Sequence, residues 1–466
     1  MRSFNDTEDI DGRSANAKDQ SPESIPILDL SWADDPTKRP ELLTQLRAAL
    51  FDVGFLYISN HGVTPAIVSE LADRLPSLFG LPSEEKACLS KLNSPHFLGY
   101  SGFAEETTLG KQDQREQFDF ATELPVVWRE IGDSENAQLR NAQSRHAQSE
   151  NAQSGNAHSG NAHSGNAHSE KAHSEKAQSE NAQSGNAESE NTQSRTDQSR
   201  DFTQLYWRLR GPNQWPPEHS LRSFRAALED YHDALAELSY RFVHLIEEAF
   251  EIPVGTYDHT FGKETRRDSP QGGRSPIFDG DHGGLSYLPP QHRLKLLRYP
   301  PSSDSAAQGV GAHKDSSGWL TFLYQHGTGP GLEVLSSVGS WLPAPPISGT
   351  FVVNFGNAFE AATEGTVKAT VHRVVSPCPG DDVRYSIPFF MGLPLDMTVS
   401  EIRAIIPEKV RRMRKDADSL AKTEISTFLD PRWDSLGDSQ LRKWIRSHHD
   451  VGLKWYGQNV VDYYTS

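Results

Sequence analysis

Cysteine is nearly absent from the sequence, and its scarcity excludes two kinds of protein. The 466 residues contain only Cys88 and Cys378. Two cysteines cannot build the disulfide framework of a small secreted domain or a cysteine-based zinc site. This composition is typical of a protein in a reducing compartment, and we expect a cytoplasmic protein.

Long apolar runs and clusters of positive charge are absent as well. No stretch reaches the roughly 18 apolar residues of a membrane-spanning helix, and residues 1–24 lack the apolar segment of a signal peptide. Asp and Glu number 63 against 46 Lys and Arg, which gives a formal net charge of −17. Nucleic acids and anionic membranes are bound through clustered basic residues. We therefore expect neither as a partner, and we expect a monomer that binds a small-molecule substrate.

Apolar patterning divides the chain into segments with strand or helix periods. Residues 291–397 carry short β-type runs separated by turn residues, which indicates a sandwich or barrel. Apolar residues recur every three or four positions from Leu221 to Leu245, which predicts a long amphipathic helix. We predict an α+β protein whose β-core is flanked by helices. We predict a disordered lead (residues 1–24), an N-terminal module (25–130) and an insertion (131–200). These are followed by a helical support with a loop (201–290), the β-core (291–397) and C-terminal helices (398–466).

The insertion at 131–200 is built from pentapeptide repeats. Thirteen units of the type NAQSG, NAHSG and KAHSE fill residues 136–200, with almost no apolar side chain larger than alanine. A five-residue period matches neither a helix nor a strand, and so little apolar surface cannot offset the entropy that is lost on ordering. We predict a long disordered insertion, which a folded domain tolerates because added loop length costs little.

His313 and Asp315 stand two residues apart in the stretch GAHKDSSGWLTFL. Side chains at positions i and i+2 of a strand share one face, so this pair can supply two metal ligands to one pocket. An H-x-D pair also arises by chance in a strand with polar inward positions. His372, in GTVKATVHRVVSP, is the candidate third ligand. Two imidazoles and one carboxylate leave coordination positions open, which is the ligand set of non-haem Fe(II) oxygenases.

Arg384 and Ser386 follow His372 after the turn sequence PCPGDD, on what we predict to be a returning strand. Their two-residue spacing places both side chains on one face. A guanidinium that points into a β-core needs an anionic partner, because an unpaired buried charge is costly. A dicarboxylate ligand would supply that partner. It would pair bidentately with Arg384, and Ser386 and Tyr299 would act as further donors.

These motifs carry a family resemblance. The stretches GAHKDSSGWLTFL, GLEVL, GTFVVNFGNAF, VKATVHRVVSP and RYSIPFF, together with the N-terminal IPILDLS, GFLYISNHGV and REQFDF, stand in this order along the chain. In residue types, order and spacing the chain resembles the isopenicillin N synthase-like branch of the 2-oxoglutarate- and Fe(II)-dependent dioxygenases. The resemblance covers roughly residues 25–120 and 293–395, and it implies a double-stranded β-helix (jelly-roll) core.

The resemblance also implies roles for the candidate residues. His313, Asp315 and His372 would ligate Fe²⁺, and Arg384 and Ser386 would bind the distal carboxylate of 2-oxoglutarate. O₂ would be the other co-substrate, and ascorbate is a candidate reductant. A small specialised metabolite would be hydroxylated, desaturated or cyclised, with release of succinate and CO₂.

Two alternatives remain open, and the substrate pocket is only partly defined. Isopenicillin N synthase uses the same iron ligands without 2-oxoglutarate, so an oxidase that needs no 2-oxoglutarate is the second interpretation. A non-catalytic binding protein on the same fold is the third. We expect the substrate pocket to be lined by the N-terminal module, at Tyr100 or Phe103, and by the C-terminal helices.

Replacing residues 136–200 by a short Gly/Ser linker should change neither the fold nor catalysis, because the repeats lack core-forming side chains. The melting temperature of the deletion protein, measured by calorimetry beside the full chain, should be nearly unchanged. A fall of more than a few degrees, or loss of turnover, would contradict a passive insertion.

Overall fold

The computed structural model describes residues 24–108, 110–130, 200–261, 289–304, 307–316, 318–413 and 435–466. The predicted disordered lead and nearly all of the predicted repeat insertion lie outside these residues. The chain divides into two compact units. The larger comprises Met1–Val127, Leu205–Ile277 and Tyr287–Ser466, and the smaller comprises Trp128–Gln204 and Phe278–Ser286. Among the described residues of the smaller unit, Trp128 and Arg129 donate hydrogen bonds to the carbonyls of Thr203 and Phe202.

The strands lie in the larger unit. In chain order they are β1 (Ile27–Asp29), β2 (Phe55–Ser59), β3 (Gly99–Ser101), β4 (Thr107–Thr108), β5 (Lys111–Gln112), β6 (Glu116–Ala121), β7 (Arg293–Tyr299), β8 (Gln308–His313), β9 (Leu320–His326), β10 (Leu332–Leu335), β11 (Trp341–Pro343), β12 (Phe351–Phe355), β13 (His372–Val375) and β14 (Arg384–Met391).

The helices precede, separate and follow these strands in the sequence. They are α1 (Arg39–Asp52), α2 (Pro65–Ala72), α3 (Leu75–Phe79), α4 (Ser83–Cys88), α5 (Phe224–Ala249), α6 (Asp258–Phe261), α7 (Asn357–Ala362), α8 (Val399–Ile405), α9 (Glu408–Arg411), α10 (Leu436–Ser447), α11 (His449–Tyr456) and α12 (Gln458–Thr465). Within the part of the chain that the structure describes, none of them has the length and apolarity needed to cross a bilayer.

Two main sheets make up the β-core. One has eight strands in the order β1-β2-β12-β9-β14-β7-β6-β3, and the other has four in the order β11-β10-β13-β8. Strand β1 runs parallel to β2, and the other paired strands of these two sheets run antiparallel. Side chains from both sheets meet in one apolar cluster, so the sheets pack face to face. The predicted β-core flanked by helices is confirmed.

The N-terminal segment contributes strands to the same sheet as the later β-core. Strand β2 pairs with β12, and β6 pairs with β7. These backbone hydrogen bonds bring strands from residues 25–127 and 291–397 into the eight-stranded sheet. The described residues of these two ranges fall in the same compact unit.

Alternation along the central strands decides which side chains face the space between the sheets. Strand β7 directs Leu294 and Leu296 outward into the helix-facing core, whereas its alternate residues face inward. Alternate residues of β14 likewise face inward. The inward residues of β7 are Arg293, Lys295, Leu297 and Tyr299, and those of β14 are Arg384, Ser386, Pro388 and Phe390.

Helix α5 covers the outer face of the eight-stranded sheet. It is 26 residues long, and its predicted apolar stripe is buried from Phe224 to Leu245. The ring of Phe242 lies edge-on to Phe322 of β9, with 5.7 Å between the ring centroids. The long amphipathic helix that the sequence predicts is therefore confirmed, and it begins at Phe224.

Truncating Phe242 to alanine should destabilise the protein by about 3–5 kcal/mol, because it opens a cavity between helix α5 and the sheet. Chemical denaturation of the full chain measures this change. Glu237→Ala on the exposed face of the same helix is the matched control and should alter the free energy of unfolding by less than about 0.5 kcal/mol. Equal losses for the two variants would contradict the packing described for α5.

Candidate metal and ligand site

The structure brings together the three residues that were predicted as metal ligands. Strand β13 pairs with β8 so that His372 lies opposite His313. Oδ1 of Asp315 lies 3.9 Å from Nε2 of His313 and 3.7 Å from Nε2 of His372. The three possible ligand atoms all lie within 4.8 Å of one another. Asp315 lies two residues beyond the end of β8, so a short extension of the strand, rather than the strand itself, brings its carboxylate to the imidazoles.

Backbone carbonyls orient both imidazoles. Nδ1 of His313 lies 2.7 Å from the carbonyl oxygen of Gly311, and Nδ1 of His372 lies 3.1 Å from that of Thr370. A carbonyl oxygen only accepts, so each Nδ1 carries the proton and each Nε2 offers its lone pair to the site. Burial, with the neighbouring imidazole, lowers the pKa of His313 to about 3. The ring is therefore neutral at physiological pH, which is the form that binds a metal.

Two neighbouring strands hold the Asp315 carboxylate. Thr321 of β9 and Asn354 of β12 both donate to Oδ2 of Asp315, each over 2.7 Å. Burial alone would raise the pKa of Asp315, but the two imidazoles and these hydrogen bonds lower it below its ordinary value. Oδ2 is thus occupied, and Oδ1 faces the histidines.

The donor set fits a divalent transition metal with open coordination positions. Two neutral imidazoles and one ionised carboxylate converge from one side, and hydrogen bonds fix all three side chains. Imidazole nitrogen with carboxylate oxygen suits non-haem iron. Sequence reasoning missed Thr321 and Asn354. The signal that could have found Asn354 is a polar residue inside the apolar run FVVNF.

Arg384 is buried, and no acidic side chain among the described residues pairs with it. Only 2% of its surface is exposed. Nη2 donates to Oε1 of Gln325 over 2.7 Å, while Nε and Nη1 have no hydrogen-bond partner among the described residues. The guanidinium carbon lies 5.0 Å from the centroid of the Tyr299 ring. Burial lowers the pKa of Arg384, and the hydroxyl of Tyr299 opposes that effect.

The other two predicted ligand-binding residues lie beside Arg384. Antiparallel pairing of β14 with β7 sets Arg384 opposite Tyr299 and Ser386 opposite Leu297. Ser386 is 1% exposed and faces the same interior as Arg384. Such an arrangement offers a planar fork and hydroxyl donors to a carboxylate.

One cavity of about 740 Å³ contains all six predicted site residues. One face of α10 lines it. The expectation for Tyr100 and Phe103 is wrong, since neither lines this cavity. The hydroxyl of Tyr100 donates to Glu116, and Phe103 is 49% exposed. From the N-terminal segment the cavity is lined instead by Phe55, Glu106, Thr107, Thr108 and Arg115.

Comparison with known proteins places these features in a family context. Residues 25–148 match the N-terminal family of non-haem dioxygenases in morphine synthesis, and residues 290–393 match the 2OG-Fe(II) oxygenase superfamily. The 2-oxoglutarate-dependent dioxygenase frbJ of Dothideomycetidae sp. (strain 11243) is 32% identical over 441 residues, which cover 93% of this chain and 92% of the relative. A homoarginine-6-hydroxylase of Oryza sativa subsp. japonica is 25% identical over 393 residues, covering 81% and 88%.

A solved structure shares the fold. A full-length Neurospora crassa protein, crystallised with alpha-KG and thymine, superposes with a TM-score of 0.52. The two sequences are 20% identical, and the match covers 84% of this chain and 92% of that one.

Asp315→Ala should abolish binding of Fe(II), because two histidines alone remain. Thr321→Val should weaken binding about tenfold, because it removes one of the two hydrogen bonds that hold Oδ2 of Asp315. Anaerobic titration of Fe(II) into each protein measures both effects. Thr350→Val is the matched control, since the Thr350 hydroxyl bonds only the carbonyl of Ile347. Iron affinity that stays unchanged in Asp315→Ala would exclude this metal site.

Proposed function

The chain belongs to the 2-oxoglutarate- and Fe(II)-dependent oxygenases, and from that premise we propose how its own residues serve the reaction. His313, Asp315 and His372 ligate Fe(II) between the two sheets, which form a jelly roll. Arg384, Ser386 and Tyr299 bind the distal carboxylate of 2-oxoglutarate. When bound, iron and 2-oxoglutarate activate O₂ and supply the oxidising power, with release of succinate and CO₂.

The unpaired guanidinium of Arg384 is the observation that carries the proposal. Leaving a buried charge without a counter-charge costs several kcal/mol. An anion bound at Arg384 would therefore stabilise the site. Two of the N–H groups of Arg384, Nε and Nη1, have no partner among the described residues and are available to a carboxylate. A dicarboxylate can pair with Arg384 through one carboxylate and chelate the metal through its other end, so it matches both groups of residues in the cavity.

Other residues of the chain position the reactants. Thr321 and Asn354 keep the Asp315 carboxylate turned toward the histidines. Apolar side chains from both sheets, including Leu323 and Leu332, line the same cavity as the metal ligands and Arg384. Low polarity there strengthens the carboxylate–guanidinium interaction and keeps water from the oxidising centre.

The substrate is a small molecule, and we propose a specialised metabolite that is hydroxylated, desaturated or cyclised. Two observations support a small substrate. The cavity has room for one beside 2-oxoglutarate, and the related proteins are a homoarginine hydroxylase and a protein crystallised with thymine. Relatives named as 2-oxoglutarate-dependent dioxygenases favour this function over an oxidase that needs no 2-oxoglutarate.

Arg384→Lys should raise the apparent KM for 2-oxoglutarate by roughly one to two orders of magnitude while iron affinity stays near wild type. Lysine keeps the charge but loses the bidentate fork, and a charge-assisted hydrogen bond is worth about 1.5–3 kcal/mol. Ser386→Ala should act in the same direction by about fivefold, as one neutral donor is worth about 1 kcal/mol. Succinate formation at varied 2-oxoglutarate concentration gives both values.

Arg298→Lys is the matched control. Arg298 lies on the neighbouring strand, pairs with Glu116 and does not line the cavity, so its replacement should leave the KM for 2-oxoglutarate unchanged. If oxygen uptake with substrate continued unaltered when 2-oxoglutarate was left out, the proposal would fail and a 2-oxoglutarate-independent oxidase would take its place.

A further inference from the structure

The cavity wall includes a second cation, Lys443, that forms no ion pair with any residue that the structure describes. Residues Ser439, Gln440, Lys443, Trp444 and Ser447 of α10 all line the cavity. Their spacing of three to four residues defines one face of a helix. Lys443 stands at the centre of that face, and its ammonium is open to the cavity while protein surrounds it.

The other lysine and arginine side chains of the cavity wall are already engaged. Arg115 pairs with Glu106 over 2.8 Å, Lys295 lies 3.4 Å from Asp119, and Lys314 lies 3.0 Å from Glu360. Arg293 donates to the carbonyls of His96 and Leu209. Lys443 has neither an ion pair nor a hydrogen bond to any residue that the structure describes.

No described carboxylate in the cavity wall is free to pair with Lys443. Glu106 accepts hydrogen bonds from Lys91, Gln117 and Arg115 and contacts His448. Asp315 is held in the metal site. Burial lowers the pKa of Lys443 to about 8, and the charge of Lys295 acts in the same direction, whereas the charges of Asp315 and Glu106 oppose the shift.

Geometry separates this position from the proposed 2-oxoglutarate site. Trp444, next to Lys443, packs against Arg293, with 4.6 Å between the guanidinium carbon and the ring centroid. Arg293 pairs with Phe390, which lies six residues along β14 from Arg384, a strand length of about 20 Å. An anion at Lys443 is therefore a different group from the carboxylate at Arg384.

Building on the function proposed above, we propose that Lys443 binds a carboxylate group of the substrate and so places the rest of that molecule at the metal ligands. Lys443 lines the same cavity as the metal ligands His313 and Asp315. One ammonium matches the single charge of a carboxylate. Ser439 and Gln440, one turn earlier on the same face of α10, provide neutral donors for its oxygens.

Matched acids and amides test this assignment on the full chain loaded with Fe(II) and saturated with 2-oxoglutarate under anaerobic conditions. The probes are benzoate against benzamide, hexanoate against hexanamide, and N-acetyl-leucine against its amide. Ligand-observed NMR gives each dissociation constant. We expect at least one acid to bind about tenfold or more tightly than its amide, as losing a charge-assisted hydrogen bond implies.

Three variants assign the preference to the side chain. Lys443→Met should remove the preference for acid over amide, and Lys443→Arg should retain it. Arg446→Met is the matched control, because Arg446 lies on the exposed side of the same helix and does not line the cavity. It should leave the preference intact. All variants should bind 2-oxoglutarate as the wild type does, by calorimetry.

The outcomes separate this inference from the proposed function. If the wild-type protein did not bind 2-oxoglutarate, the function proposed above would be overturned. Normal 2-oxoglutarate binding without a preference for acids, or with a preference that survives Lys443→Met, would overturn the role of Lys443 alone. If methylphosphonate bound more tightly than any carboxylate, and Lys443→Met abolished that binding, the choice of a carboxylate would be overturned.

Discussion

Charge buried between two β-sheets is the constraint on which this structure depends. Asp315 and Arg384 are buried in one cavity, which Lys443 of α10 also lines, and the described residues provide no salt-bridge partner for the two cations. In a medium of low polarity each such charge is costly until a counter-charge arrives. The proposed metal, co-substrate and substrate would supply the counter-charges that the described residues lack.

The sheet architecture explains how so many polar groups reach the interior without disrupting the core. Successive residues of a strand point to opposite faces, so one strand can face the helices with leucine and the cavity with lysine or arginine. In β7, Leu294 and Leu296 join the core beneath the helices while Lys295 points into the cavity. Stability and ligand binding are thereby assigned to opposite faces of the same strands.

Sequence reasoning succeeded where function follows from spacing within a strand or from a motif. It found the three candidate metal ligands and the inward arginine and serine, and it found the long helix, because local periodicity determines those placements. It missed Thr321, Asn354 and Lys443 and misplaced Phe103. Their positions depend on which strands become neighbours and on which face of a late helix meets the cavity, and those are tertiary relations that no local pattern encodes.

The strand order of the large sheet has a consequence for how the chain folds. Strand β2 is made early in synthesis, yet it forms its hydrogen bonds with β12, near the end of the β-core sequence, and β14 must insert between β7 and β9. Contacts of such long sequence separation form slowly, because the intervening chain must be closed first. On the nascent chain the edge of β2 that pairs with β12 and the edge of β6 that pairs with β7 therefore stay open until the β-core has been synthesised, and unpaired strand edges of this kind are the sites at which a folding chain aggregates.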